Sequence, residues 1–230
     1  MNSQNQNIKL EVCPGTLAEG NSSYSTTCLR KVFSGKKVSP LLDYSSPISG
    51  EGTLELFQDN RKRISISGVQ EKFSVIQEKN NLRLIGEREQ GSHILKPIPS
   101  IGKNTNEMPA NEHLTMQIAS QVFGIETAAN ALVFFKDGTP AYITKRFDVK
   151  NDGSKLAQED FASLGERTPQ THGEHYKYEG CYLELFEILK KYVPAYPIES
   201  VKLFKLILFN YLLSNGDAHF KNFSLIETPQ

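Results

Sequence analysis

Asn215-Gly216-Asp217-Ala218-His219-Phe220-Lys221-Asn222 holds the densest chemistry in this chain. A carboxylate, Asp217, and an amide, Asn222, stand close together in a segment whose Asn-Gly start reads as a loop. The pair suits phosphoryl transfer. A carboxylate accepts the hydrogen bond of an attacking hydroxyl, and an amide oxygen binds Mg²⁺. Asp and Asn also close ordinary turns through side-chain bonds, and the spacing alone fits either use. Position favours chemistry, because an apolar helix ends directly before the loop and a β-like Phe223-Ser224-Leu225-Ile226 follows it. His219 reads as a residue that orients the loop by a backbone hydrogen bond rather than as a ligand or proton carrier.

Phosphoryl transfer also needs cations for the phosphates. Lys96 ends the strand-like Ser92-His93-Ile94-Leu95-Lys96, and the helix that follows carries Glu112. A strand lysine paired with a helix glutamate is the arrangement that phosphoryl-transfer sites use. A lysine snorkelling at a sheet edge and an acid favoured by a helix dipole fit the same residues. A third element, Ser65-Ile66-Ser67-Gly68-Val69-Gln70-Glu71-Lys72, has one glycine and no GxGxxG pattern. Its backbone N–H groups can fold over phosphates, and an ordinary polar β turn accounts for it equally well.

These residues need elements to position them. Residues 1–50, rich in Gly, Pro, Ser and Thr, read as an irregular arm with one short helix near Ser25–Phe33. Short alternating segments over 52–57, 63–67, 72–77, 82–86 and 92–96 read as strands. A helix follows from Pro109 to Gly124, with Leu114, Ile118 and Val122 on its apolar face. Ala131–Phe135 and Pro140–Phe147 form a hairpin around Lys136-Asp137-Gly138-Thr139. After about Gln158 the pattern is mostly helical. Tyr182, Leu185, Phe186, Leu189, Tyr192 and Val193 make one stripe, and the helix from Ile198 to Ser214 is apolar on most faces, which predicts a central place in its lobe. The fold class expected is α+β in two lobes: an arm over 1–50, a β-rich lobe with one helix over 51–147, and a helical lobe with the loop over 148–230. A cleft between two such lobes is where a ligand is expected.

Composition narrows the function classes. The chain has 230 residues, with 26 basic and 26 acidic side chains and no formal net charge. That balance argues against a chain built for non-specific nucleic-acid binding, which needs a basic surface. The polar start lacks a signal-peptide pattern, and no apolar stretch is long enough to span a bilayer, so a soluble, cytoplasmic protein is expected. Cys13, Cys28 and Cys181 lie far apart, which fits a reducing compartment and supplies no zinc framework.

Six motifs in order give a more specific reading. Ser65–Lys72, Ser92–Pro97, Asn111-Glu112, Lys145-Arg146-Phe147-Asp148, Gln158-Glu159-Asp160 and Asn215–Asn222 together resemble the HipA family. The resemblance implies a serine/threonine kinase with a protein-kinase-like fold, using ATP and Mg²⁺. It implies a toxin of a toxin–antitoxin module whose substrate is an aminoacyl-tRNA synthetase. By the same resemblance Asp217 is the catalytic aspartate and Asn222 a magnesium ligand. Lys96 holds the ATP phosphates, and Lys145 to Phe147 form the hinge whose backbone holds adenine. Ser65 to Lys72, with Gly68 and Lys72 near the nucleotide, form the phosphate-side loop, with Ser65 or Ser67 autophosphorylated. Glu112 and His219 play supporting parts. The implied partners are a HipB-like antitoxin, DNA only through that antitoxin, and a small HipS-like protein, because the early loop position resembles the short HipT-like form. The family's later metal-binding aspartate has no counterpart after Asn222, and the helical lobe is expected to be incomplete. These 230 residues alone are therefore expected to be inactive. The alternatives are an inactive kinase-like chain that binds an antitoxin or substrate, and a small-molecule kinase of the aminoglycoside type.

Overall fold

Period-two burial along short strands organises the first part of the chain. The computed structural model describes residues 9–48, 57, 71–150 and 152–227. Strands β1 (Phe73–Glu78), β2 (Asn81–Leu84), β3 (His93–Pro97), β4 (Asn130–Phe134) and β5 (Pro140–Lys145) form an antiparallel sheet in the order β2-β1-β3-β5-β4. The expected strands over 52–57 and 63–67 lie, but for Phe57, outside the described residues. In β3 the alternation buries His93, Leu95 and Pro97 and leaves Ile94 and Lys96 less covered on the opposite face. Helix α2 (Met108–Gln117) packs against β4 and β5. Ala141, Tyr142 and Ile143 of β5 are consequently buried in succession. At the β4–β5 turn, the Asp137 carboxylate accepts from the N–H groups of Thr139 (2.9 Å) and Ser46 (2.8 Å). Gly138 takes φ +86°, a conformation that favours glycine.

The segment expected as an irregular arm is an integral part of this core. Cys13, Cys28, Val32, Phe33, Val38 and Leu42 are buried with Phe73, Val75, Leu95, Val133 and Ile143. Helix α1 (Thr26–Val32) starts at Ser25, whose hydroxyl accepts from Cys28 N–H at 3.2 Å. The arm also covers the edge strand β4. Leu132 N–H donates to the Pro14 carbonyl and Phe134 N–H to the Pro40 carbonyl, both at 2.8 Å. Its apolar residues have no period because irregular backbone, rather than a helix or strand, presents them to the sheet.

The inward face of α2 also differs from the expected Leu114, Ile118 and Val122. Leu114 is 49% and Val122 71% exposed. His113 and Gln117 point inward instead, and Asn130 Oδ1 of β4 accepts from both, at 2.9 and 3.0 Å. Asn130 thus partners one ring nitrogen of His113 and the Gln117 amide, while His113 Nε2 is buried without a hydrogen bond. The helix then widens into a π turn over Ile118–Val122.

A second compact unit comprises Phe123–Ile125 and Asp148–Gln230, the first being Met1–Val122 with Glu126–Phe147. It contains β6 (Gln158–Asp160), α3 (Phe161–Leu164), α4 (Pro169–His172), α5 (Tyr182–Tyr192), α6 (Tyr196–Leu212) and β7 (Ser224–Ile226). The expected mostly helical stretch thus begins with a strand, which pairs antiparallel with β7. Phe161, Leu185, Leu189, Leu203, Phe220 and Phe223 are buried together. The predicted central place of α6 is not observed. Only Leu203 and Phe209 on it are buried, while Ile198, Val201, Phe204, Leu208, Tyr211 and Leu212 are exposed. Among the described residues, α5 and Phe123 cover only one side of it. No helix among the described residues is long and apolar enough to cross a membrane.

Candidate active site

Two groups of side chains with phosphoryl-transfer chemistry are present, one in each unit. In the first, β3 holds Lys96 opposite Tyr142 of β5. Its ammonium lies 5.4 Å from the Tyr142 ring centroid and 2.6 Å from Glu112 Oε1 on α2. Strand pairing, the aromatic face and the helix carboxylate therefore fix the ammonium from three directions. Lys72, just before β1, shares this field. Burial and the Lys96 charge lower its pKa, and Glu112 acts in the opposite direction. Lys72, Lys96 and Glu112 thus act on one another electrostatically. Tyr142 stays neutral, its pKa raised by burial and by the Glu112 charge.

In the second unit, the loop after α6 brings Asp217 and Asn222 together. Asn222 Nδ2 donates to the Asp217 carbonyl at 2.6 Å and to its Oδ2 at 3.0 Å. Asp217 N–H donates to Asn215 Oδ1 at 3.2 Å, and Asn222 N–H to the His219 carbonyl at 2.8 Å. The Asp217 side chain is 76% exposed and so is open to solvent. His219 is nearly covered, with Nε2 at 3.5 Å from Asp217 Oδ1. Its backbone joins the two loop residues, N–H donating to the Asp217 carbonyl at 2.9 Å and carbonyl accepting from Asn222 N–H, while its ring takes a further part. It faces the carboxylate itself and rests edge-on against Tyr178, ring centroids 4.9 Å apart. Asn222 is exposed, and its amide oxygen is the kind of hard ligand that would hold a Mg²⁺.

Sequence reasoning missed the segment that braces this loop. Phe220 N–H donates to the Lys177 carbonyl at 3.1 Å, and Tyr182 Oη donates to the Ala218 carbonyl at 3.3 Å. Lys177, Tyr178 and Tyr182 have no distinctive spacing, and only the tyrosine density of 176–182 sets the stretch apart. Gln158–Asp160, which had no expected role, holds the other flank. It is β6, paired with the strand that leaves the loop, and Phe161 N–H donates to the Phe223 carbonyl at 2.9 Å.

The remaining expected positions are less closely placed. Lys145 ends β5, its Nζ donating to Ser34 Oγ at 2.9 Å. The N–H groups of Lys145 and Arg146 donate to Ala129 and Ser92 carbonyls. A hinge contact to adenine would therefore fall to carbonyls or to Phe147, which is 62% exposed at the end of the first unit. Ser65, Ser67 and Gly68 lie outside the described residues.

Comparison with known proteins gives the family. The chain is 26% identical over 215 residues to a "Putative kinase" of Haemophilus influenzae, covering 90% of this chain and 60% of that protein. It is 31% identical over 175 residues to "Putative kinase Y4mE" of Sinorhizobium fredii, covering 73% of this chain and 40% of that protein. The chain thus spans between 40% and 60% of the length of these curated relatives. Among solved structures it is similar to HipA of the Shewanella oneidensis MR-1 toxin–antitoxin system, in complex with HipB and operator DNA. The TM-score is 0.53 and the identity 25%, over 72% of this chain and 41% of that one. The HipA-like C-terminal domain matches residues 64–230, most of the chain, which therefore belongs to the HipA family.

Proposed function

We propose that the protein is a HipA-type toxin acting as a serine/threonine protein kinase, its two units being the lobes of a protein-kinase-like fold. The observation that carries this reading is the Asp217–Asn222 pair, with carboxylate and amide 3.0 Å apart on a braced loop. Asp217 orients a substrate hydroxyl and accepts its proton. The hydroxyl oxygen bonds to the γ-phosphorus as the bond from that phosphorus to the β–γ bridging oxygen breaks, and ADP leaves. Lys96, aimed by Glu112, and Lys72 hold phosphate oxygens. Asn222 would hold Mg²⁺, which when bound offsets the charge on the β- and γ-phosphates. His219 faces the Asp217 carboxylate and keeps it in place.

The substrate proposed is an aminoacyl-tRNA synthetase, on the strength of the family resemblance. A HipB-like antitoxin is the proposed partner, supported by the HipB seen with the Shewanella HipA. DNA is reached through that antitoxin, and a small HipS-like protein is a further candidate partner. The site of action proposed is the cytoplasm. The whole protein, incubated with labelled ATP, Mg²⁺ and a panel of synthetases, should label one of them. Absence of Asp217-dependent labelling of any protein substrate rejects the reading.

A second reading is favoured by the exposed apolar residues Val201, Phe204 and Leu208 of α6. The 230 residues by themselves are then an inert kinase-like chain that engages an antitoxin or substrate. A cooperative melt raised by Mg·ATP, with turnover by these residues alone, would reject it.

A further inference from the structure

Arg167 is a cation in the core of the second unit, 8% exposed, that none of the chemistry above uses. Its guanidinium lies over the Phe220 ring, with Cζ 4.1 Å from the centroid. One terminal nitrogen donates to the Glu179 carbonyl at 2.6 Å, and the other pairs with Glu184 Oε2. Glu184 in turn accepts from Cys181 N–H at 2.8 Å, at the start of α5. Gly180 makes room for the pair. It takes φ +105°, and a Cβ there would sit 2.6 Å from Glu184 Oε1 and 2.7 Å from Arg167 Nη2. A buried charge this well partnered is costly to assemble and rigid once assembled.

What the guanidinium presses on is the middle of the candidate catalytic loop. Phe220 lies between Asp217 and Asn222, and its own N–H is tied to Lys177, two residues before Glu179. Arg167 thereby links the bracing segment, the start of α5 and the loop in one contact set. We propose that Arg167 is a positioning residue: by stacking on Phe220 while held by Glu184 and Glu179, it sets the spacing of Asp217 and Asn222. The inference rests on the reading of Asp217 as the catalytic carboxylate. It adds a residue that touches neither substrate nor nucleotide. Lysine cannot replace it, because an ammonium keeps the charge but lacks the planar face and the fork of donors.

The test pairs a structural readout with a kinetic one in the whole protein, using Arg167→Lys, Arg167→Met and Phe220→Leu. With a wild-type melt, Arg167→Lys should speed hydrogen exchange at the Phe220 amide by about tenfold, through local opening of the loop. It should lower kcat on the order of 10²-fold with KM for ATP unchanged, as expected for misplaced catalytic groups. Arg167→Lys combined with Phe220→Leu should cost no more in kcat than the worse single change. If Arg167→Met fails to fold, Arg167→Lys decides the matter. Wild-type exchange together with wild-type kcat in Arg167→Lys overturns the proposal, as does full additivity with Phe220→Leu. Asp217→Asn is run alongside. If it leaves transfer intact, the catalytic reading has failed, and the exchange data still report whether the brace exists.

Discussion

The loop carboxylate is the group on which transfer should depend most. Asp217→Asn keeps the shape and the hydrogen bond from Asn222 but removes the proton acceptor. Transfer should fall by about 10²- to 10⁴-fold, the usual worth of a positioned general base, with the melt unchanged. Steady-state assay with labelled ATP checks both. Glu112→Gln should leave the fold intact and lower kcat/KM for ATP on the order of 10-fold or more, since a charge-assisted hydrogen bond is worth ~1.5–3 kcal/mol. A kcat/KM equal to wild type would remove Glu112 from the phosphate site. Mass spectrometry after ATP incubation should find phosphate on Ser65 or Ser67, where added negative charge would pull the loop from the nucleotide. Phosphate found only elsewhere would refute that. The pairing of Lys96 with Glu112 and the closeness of Asp217 and Asn222 were legible in the sequence because strand, helix and loop signals flank them. Arg167 was not, since its partners Glu184 and Phe220 come from separate elements and meet only in the folded unit.

At the level of elements, hydropathy located two helices but misassigned their buried faces. In α2 two of the three buried positions, His113 and Gln117, are polar, and in α6 most apolar positions are exposed. Periodicity locates a helix, but which face is covered depends on what lies beside it. The strands fared better, because period two and turn residues are local properties: β1, β3, β4 and β5 fall close to their expected ranges. β6 was missed because three polar residues, Gln158-Glu159-Asp160, pair only through backbone. The two sides of α6 should respond differently to substitution. Leu203→Ala should destabilise by about 2–5 kcal/mol, the range for a buried leucine. Phe204→Lys should leave stability within about 0.5 kcal/mol and reduce aggregation by breaking up the apolar patch. Chemical denaturation and light scattering separate the two effects. A large loss of stability in Phe204→Lys would mean that this face is covered in solution.

For the molecule as a whole, two buried histidines set a pH dependence. Burial lowers the pKa of His93 below its ordinary 6.5, with the Val32 carbonyl opposing and the Lys145 charge adding to the effect. Burial lowers that of His113 likewise, against its bond to Asn130. His93 Nε2 faces the Val32 carbonyl at 2.8 Å, which can only accept, so this nitrogen carries the proton. Nδ1 is then left to accept from the Ser92 hydroxyl. Since the native pKa values lie below the unfolded one, the unfolded chain binds more protons in the interval between them. Stability is therefore complete above about pH 6.5 and falls as pH drops through that interval. The melting temperature should be flat from about pH 8 to 7 and decline below about 6.5, with a shallower decline in His113→Gln. A melt that rises on acidification over that range would contradict the neutral assignment.

The insertion of Phe123–Ile125 into the second unit bears on how the protein can be taken apart. The Phe123 ring meets Phe209 of α6 edge to face, centroids 5.4 Å apart, and Phe209 is one of the two buried residues of that helix. A gene cut after Phe147 would look natural, since the first unit ends there, yet it strands this three-residue plug on the wrong fragment. Residues 148–230 expressed alone would uncover Phe209 and extend an apolar face that is already broad. The second unit is thus contiguous in space but not in sequence, and a cut after Phe147 separates Phe209 from the ring that covers it.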